Sequence, residues 1–326
     1  NPVVANSDGA PELVQTFGGS KNDVAKSVVA TSDGGFAVLG YTQSMDGDVI
    51  GKTTENYDFW VLKFNSDALL EWNKTYGGTG DDRGNSLIET SDGGFVLLGY
   101  SDSVDGDVTT NNGNRDFWVV KIDAFGALTW QKSFGYAGAD EGMSIIETSD
   151  NHFILSGVLD VSASGGEGNF GRLSTRHAGG DYWSIKITQT GDVVWSRFYG
   201  GSFTDNPAGV VENASNNLIT VGGSDSNDVD ITNNKGSYDF WVVKSTANGD
   251  IVWEKSFGGS EIDEARGIIS SGDGNHVIVG DTRSSEQDVS LNNGAADLWL
   301  IKISGDGDVL WNSSIGGSNF DVGRSI

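Results

Sequence analysis

Residues 84–134 read GNSLIETSDGGFVLLGYSDSVDGDVTTNNGNRDFWVVKIDAFGALTWQKSF. Four short runs rich in β-branched and aromatic residues, GNSLIET, FVLLGYS, DFWVVKID and ALTWQKSF, are separated by SDGG, by a long polar loop and by a short turn. Runs of this kind bounded by Gly, Asp and Asn read as strands, lettered a to d here in chain order. SDGG suits a tight hairpin, because glycine supplies the positive φ such turns require. FVLLGY and FWVVKI are continuous apolar runs, not alternations, so strands b and c must be covered on both faces.

The same unit recurs along the chain. Ten tryptophans fall into two sets, Trp60, Trp118, Trp183, Trp241 and Trp299, then Trp72, Trp130, Trp195, Trp253 and Trp311, with successive spacings of 58, 65, 58 and 58 in both. An aspartate two residues before each first tryptophan (Asp58, Asp116, Asp181, Asp239, Asp297) and a lysine three after it (Lys63, Lys121, Lys186, Lys244, Lys302) keep the register. Four-stranded sheets at this period, each needing cover on both faces, are satisfied by radial stacking about an axis. Helical solenoids lack their 3.6-residue period here, and β-helix coils are much shorter. The expected fold is therefore all-β, a β-propeller of four-stranded antiparallel blades with five complete repeats.

The repeats are placed at about 14–72, 73–130, 131–195, 196–253 and 254–311, with a partial unit at 312–326. They form one domain over 12–326 behind a polar arm, 1–11. ELVQTFGG before the first strand a reads as a lone strand d, and VGRSI after the last strand d as the start of another strand a. The two ends are thus expected to share a partial blade in a protein of six or seven blades, the rival being a five-bladed ring with two spare strands. The chain opens at Asn1 without a methionine or a signal-peptide pattern, which reads as a processed or trimmed start.

Forty-six acidic against 20 basic residues give a formal charge of −26, so the average surface repels nucleic acid and anionic lipid. Cations, neutral glycans and basic protein patches remain as partners. There is no cysteine, and no apolar run long enough to span a bilayer.

The phrases TFGGSxxDxAxSxxxTSDGGFxxLGYTxSxDGDV and DFWVVKxDxxGxLxWxKxFGG resemble repeats of secreted or lipid-anchored envelope proteins of the Bacteroidetes, over residues 12–326. The resemblance implies export to the periplasm, outer membrane or cell surface, and an envelope or outer-membrane protein as partner, in some cases machinery such as the type IX secretion apparatus. The third repeat departs from the pattern, reading FGYAGADEG for GGS or GGT, and DVSASGGEGNFGRLSTRHAGG for DGDV.

With strand a innermost, the variable b–c loops and the d–a loops share one face, where binding usually resides on a rigid scaffold. Three features fall there. An aspartate recurs in each d–a loop (Asp23, Asp82, Asp140, Asp205, Asp263, Asp321), either as a carboxylate ring at the channel mouth or as caps of each loop's own amides. Paired aspartates in the b–c loops (Asp46 with Asp48, Asp105 with Asp107, Asp228 with Asp230) suit calcium by ligand type, though not by EF-hand spacing, and otherwise read as solvated turn residues. The long third loop brings Arg172, Arg176 and His177 into an acidic molecule as a candidate partner contact, or as a loop with no task. No nucleophile–base pair, zinc signature or phosphate loop is apparent, so a binding protein without a cofactor is expected over an enzyme.

Overall fold

A computed structural model describes residues 3–4, 13–161 and 177–326. It contains five antiparallel four-stranded sheets, each formed by one repeat in the order a-b-c-d. In the second sheet these are Asp82–Glu89, Phe95–Ser101, Asp116–Ile122 and Leu128–Phe134. Complete sheets therefore occupy 23–76, 82–134, 141–199, 205–257 and 263–315, several residues later than the sequence-based boundaries. The protein is a β-propeller. Among the described residues no helix is long and apolar enough to cross a membrane.

Local chemistry sets each blade. The third residue of the a–b turn has positive φ, as Gly34 (85°), Gly93 (81°) and Gly274 (80°), and where glycine is missing the chain uses asparagine, Asn151 (59°) and Asn216 (60°). The c-strand lysine reaches that turn: Lys63, Lys121, Lys186 and Lys302 place Nζ at 2.7, 2.8, 2.7 and 2.6 Å from Asp33, Asp92, Asp150 and Asp273. Strands a and b cross closely at a bulge, between Gly84 and Ser86 in the second blade. A Cβ built on Gly99 there would lie 2.0 Å from the Arg83 carbonyl oxygen. Gly99→Ala is thus expected to destabilise the fold by about 2–3 kcal/mol in urea unfolding, against less than about 0.5 kcal/mol for Gly272→Ala, whose Cβ would meet nothing.

Adjacent blades interlock through strand c. Phe59 meets Trp118, Phe117 meets Trp183, Tyr182 meets Trp241 and Phe240 meets Trp299, with ring centroids 4.6–4.7 Å apart. All five tryptophans of this set are buried, as their recurrence within strands required. The outer set leans on the next blade: Trp72, Trp130 and Trp195 donate Nε1–H to the carbonyls of Ala124, Gln189 and Ala247.

Sheets pack in chain order, the first on the second through to the fourth on the fifth. The outward faces of the end blades meet the terminal segments: Phe17 packs on Phe64 beside Trp60 of the first blade, and a Cβ on Gly323 would lie 2.5 Å from Val279 and 3.0 Å from Leu298 of the fifth. Strand c is buried along its length in the first and second blades but alternates in the fifth, and Trp311 is 44% exposed. Of the partial end blade, Leu13–Val14 pairs with Val3–Val4, within the segment read as an arm, while 321–326 form no strand but occupy the place of a further strand a, Gly323 lying against Val279 as Gly142 lies against Leu98.

Candidate functional site

The loop face is built from carboxylates that hold backbone amides. All six d–a aspartates accept the amide four residues earlier: Asp23 from Gly19 (2.8 Å), Asp82 from Gly78 (2.8 Å), Asp140 from Tyr136 (2.8 Å), Asp205 from Gly201 (2.7 Å), Asp263 from Gly259 (2.7 Å) and Asp321 from Gly317 (2.7 Å). Hydroxyls from strand b and the loop after it complete the shell, as Thr42 and Ser44 do for Asp23 and Thr282 and Ser284 for Asp263. These aspartates do not ring the channel, since none of the six lines the central cavity. The loop-capping alternative is the arrangement found.

The paired aspartates of the b–c loops are also engaged. Asp46, Asp105 and Asp228 accept the amides of Ser20, Thr79 and Ser202 at 2.8, 2.8 and 2.9 Å, while Asp48, Asp107 and Asp230 accept those of Gly18, Gly77 and Gly200 at 3.0, 3.1 and 3.4 Å. Each pair staples a b–c loop to the d–a loop beside it, which makes them ties between loops and not solvated turn residues. Among the described residues no group of three His, Asp or Glu side chains is arranged to hold a metal ion.

The double glycine of each d–a loop follows from this crowding. On Gly77 a Cβ would sit 2.6 Å from Asp82 Oδ2 and 3.0 Å from Asp58 Oδ1; on Gly78 it would sit 2.5 Å from the Asp105 carbonyl oxygen. Only the third repeat replaces the second glycine, with Tyr136.

Two carboxylates therefore meet at each blade junction in a desolvated space. Burial pushes Asp58, Asp116 and Asp181 up to about 6 and Asp82, Asp205 and Asp239 up to about 7, and it raises Asp140 as well. His177 belongs to one of these junctions. Its Nδ1 lies 2.5 Å from Asp181 Oδ2, with both side chains buried and the ring edge-on to Phe198. That removes His177 from an exposed partner contact, because its imidazole takes the place that the amides of Asn112, Lys235 and Asn293 occupy in other blades. Arg172 and Arg176 lie outside the described residues.

Among its polar residues the loop face also exposes apolar side chains. Ile50 and Val104 on b–c loops are each 70% exposed and Phe203 on a d–a loop is 59% exposed, with Leu291 and Phe320 also exposed. Sequence reasoning missed these residues because they do not repeat.

This geometry defines a β-propeller with five complete blades and pinned loops on one face. No family model matches the chain. The regulatory protein FlaEY of Caulobacter vibrioides is 23% identical over 203 residues, covering 59% of this chain and 21% of that protein, so the similarity spans about a fifth of its length. Among solved structures, a protein of unknown function from Dyadobacter fermentans superposes with a TM-score of 0.52 at 9% identity, over 93% of this chain and 86% of its own. The Pan2 WD40 domain of Neurospora crassa gives 0.49 at 11% identity, over 89% and 66%. Their likeness concerns fold alone.

Proposed function

We propose that this chain is a non-enzymatic binding propeller of the bacterial cell envelope, exported from the cytoplasm and engaging an envelope or outer-membrane protein through its loop face. The observation that carries this reading is the set of exposed apolar side chains on loops whose backbones are pinned, Ile50, Val104 and Phe203 foremost. Solvent-exposed aliphatic and aromatic groups on a pre-ordered surface bind with little ordering cost, and they mark protein contacts more than sites for neutral glycans. The aspartates with the largest upward shifts support binding over catalysis, since they are sealed between sheets where no substrate reaches them. Calcium is not needed in this reading, because the candidate aspartates are engaged by loop amides.

The test is capture of envelope proteins by immobilised wild type, by Val104→Glu/Phe203→Glu, and by Phe125→Glu on the opposite rim. Proteins recovered by wild type and Phe125→Glu but lost from the loop-face variant are the expected result. Equal recovery by all three would remove the loop face as the binding surface.

A further inference from the structure

Strand a lines the axis of the propeller. The residue three positions beyond its first aspartate borders the central cavity in every blade, as Lys26, Asn85, Met143, Ala208 and Arg266, and Arg324 holds the same place on the C-terminal segment. The aspartate is the same in all six copies, whereas this cavity position is different in almost every one. Fold requirements keep a repeated residue constant, so a position that varies on the inner strand is released from them.

The chemistry that fills it runs against the rest of the molecule. In a chain with 46 acidic and 20 basic residues, the ionisable side chains around this cavity are Lys26, Arg115, Arg266 and Arg324 against Glu141 and Glu264. Arg115 is paired with Glu141, and Arg266 with Glu264 at 2.7 Å and Asp281 at 3.0 Å. Lys26 and Arg324 are exposed and have no carboxylate partner among the described residues. Two unneutralised cations bordering a concave space focus potential into it, and an acidic exterior sharpens the contrast. The cavity volume is about 560 Å³, the size of a small-molecule site, with Met143, Pro207 and Ala208 as its apolar wall.

We propose that this axial cavity binds a small oxyanion-bearing molecule, its carboxylate, sulfate or phosphate group held by Lys26 and Arg324 and its body resting on Met143, Pro207 and Ala208. The site lies on the axis and uses none of the exposed loop residues Ile50, Val104 or Phe203, so it stands or falls apart from the loop-face reading.

Isothermal titration at matched ionic strength tests it, with glucuronate, inorganic sulfate and inorganic phosphate as probes and glucose as the neutral control. At least one anion is expected to saturate one site per chain and to bind more weakly as salt rises. In Lys26→Gln/Arg324→Gln its affinity should fall about tenfold or more, as for loss of charge-assisted hydrogen bonds. Lys132→Gln/Lys255→Gln, on outer strands, should bind like wild type. Anion heats no larger than those of glucose, or undiminished binding by Lys26→Gln/Arg324→Gln, would overturn the proposal. Unchanged apo melting temperatures of the variants separate lost binding from lost folding.

Discussion

Trp118→Ala is expected to lower unfolding stability by about 3–5 kcal/mol, the range for removing a large buried aromatic. Trp118 is fully buried, donates Nε1–H to Gln131 at 3.0 Å and packs edge-on against Phe59 of the preceding blade at 4.7 Å. Alanine would open a void between two sheets that their own hydrogen-bond ladders keep from collapsing, so the transfer loss and the cavity loss add. Trp311→Ala is the internal comparison, because this indole is 44% exposed on the outward flank of the fifth blade. Its loss should cost about 1 kcal/mol or less, in proportion to the smaller area removed from water. Urea midpoints measured on both variants decide the matter, and equal effects would contradict the assignment of the first tryptophan set to the blade interfaces.

The second large effect is a gain of stability on mild acidification. The junction aspartates rise from 3.8 to about 6 or 7 in the fold, so the folded chain holds protons at pH 5–6 that the unfolded chain releases. Stability from this source is complete below the unfolded value of 3.8 and is lost as pH climbs through 6 and 7. The a–b turns oppose it only in stronger acid. Burial pushes Asp92 and Asp150 up, yet the ammonium groups of Lys121 and Lys186 outweigh it and hold them near 2, so those ion pairs fail only as pH falls below the ordinary carboxylate range. Each pKa unit is worth about 1.4 kcal/mol, and each kcal/mol moves Tm by about 2–4 °C in a chain of 150–250 residues. Calorimetry should therefore find Tm roughly 5–10 °C higher at pH 5.5 than at pH 8, the fading of the −26 charge adding to the rise. Asp82→Asn should flatten the profile, since its amide can still accept from Gly78 and Ser103 without a charge to bury. A Tm that peaks at pH 8 would show that the junction carboxyls stay ionised.

The fold was legible because the interface between blades is made of large rings at a fixed interval. Phe59 against Trp118 and Phe240 against Trp299 are the same contact read twice, and an indole at a constant spacing is hard to hide in a sequence. Strand order, turn geometry and the loop-bearing face followed from the same unit. The site was harder to read, because the recurring aspartates that drew attention serve the scaffold: Asp82 and Asp107 tie glycine amides, and Asp58 is walled in beside them. His177 looked like a surface cation only because seven extra residues in the third repeat obscured its register with the i−4 donors of the other blades. Lys26, Arg266, Val104 and Phe203 left no periodic trace, and their shared signal is the absence of repetition at places where neighbours repeat.

Packing in chain order has a mechanical corollary. A sequence of sheets in which each leans only on its neighbours passes cooperativity along a line, much as a solenoid does. The third blade is buttressed on two sides by pairs of blades, whereas the first and fifth each pack on one other blade and on a terminal segment that carries no full sheet. Fraying consequently starts from either flank without waiting for the other, and a defect in the middle sheet divides the molecule into two independently melting halves.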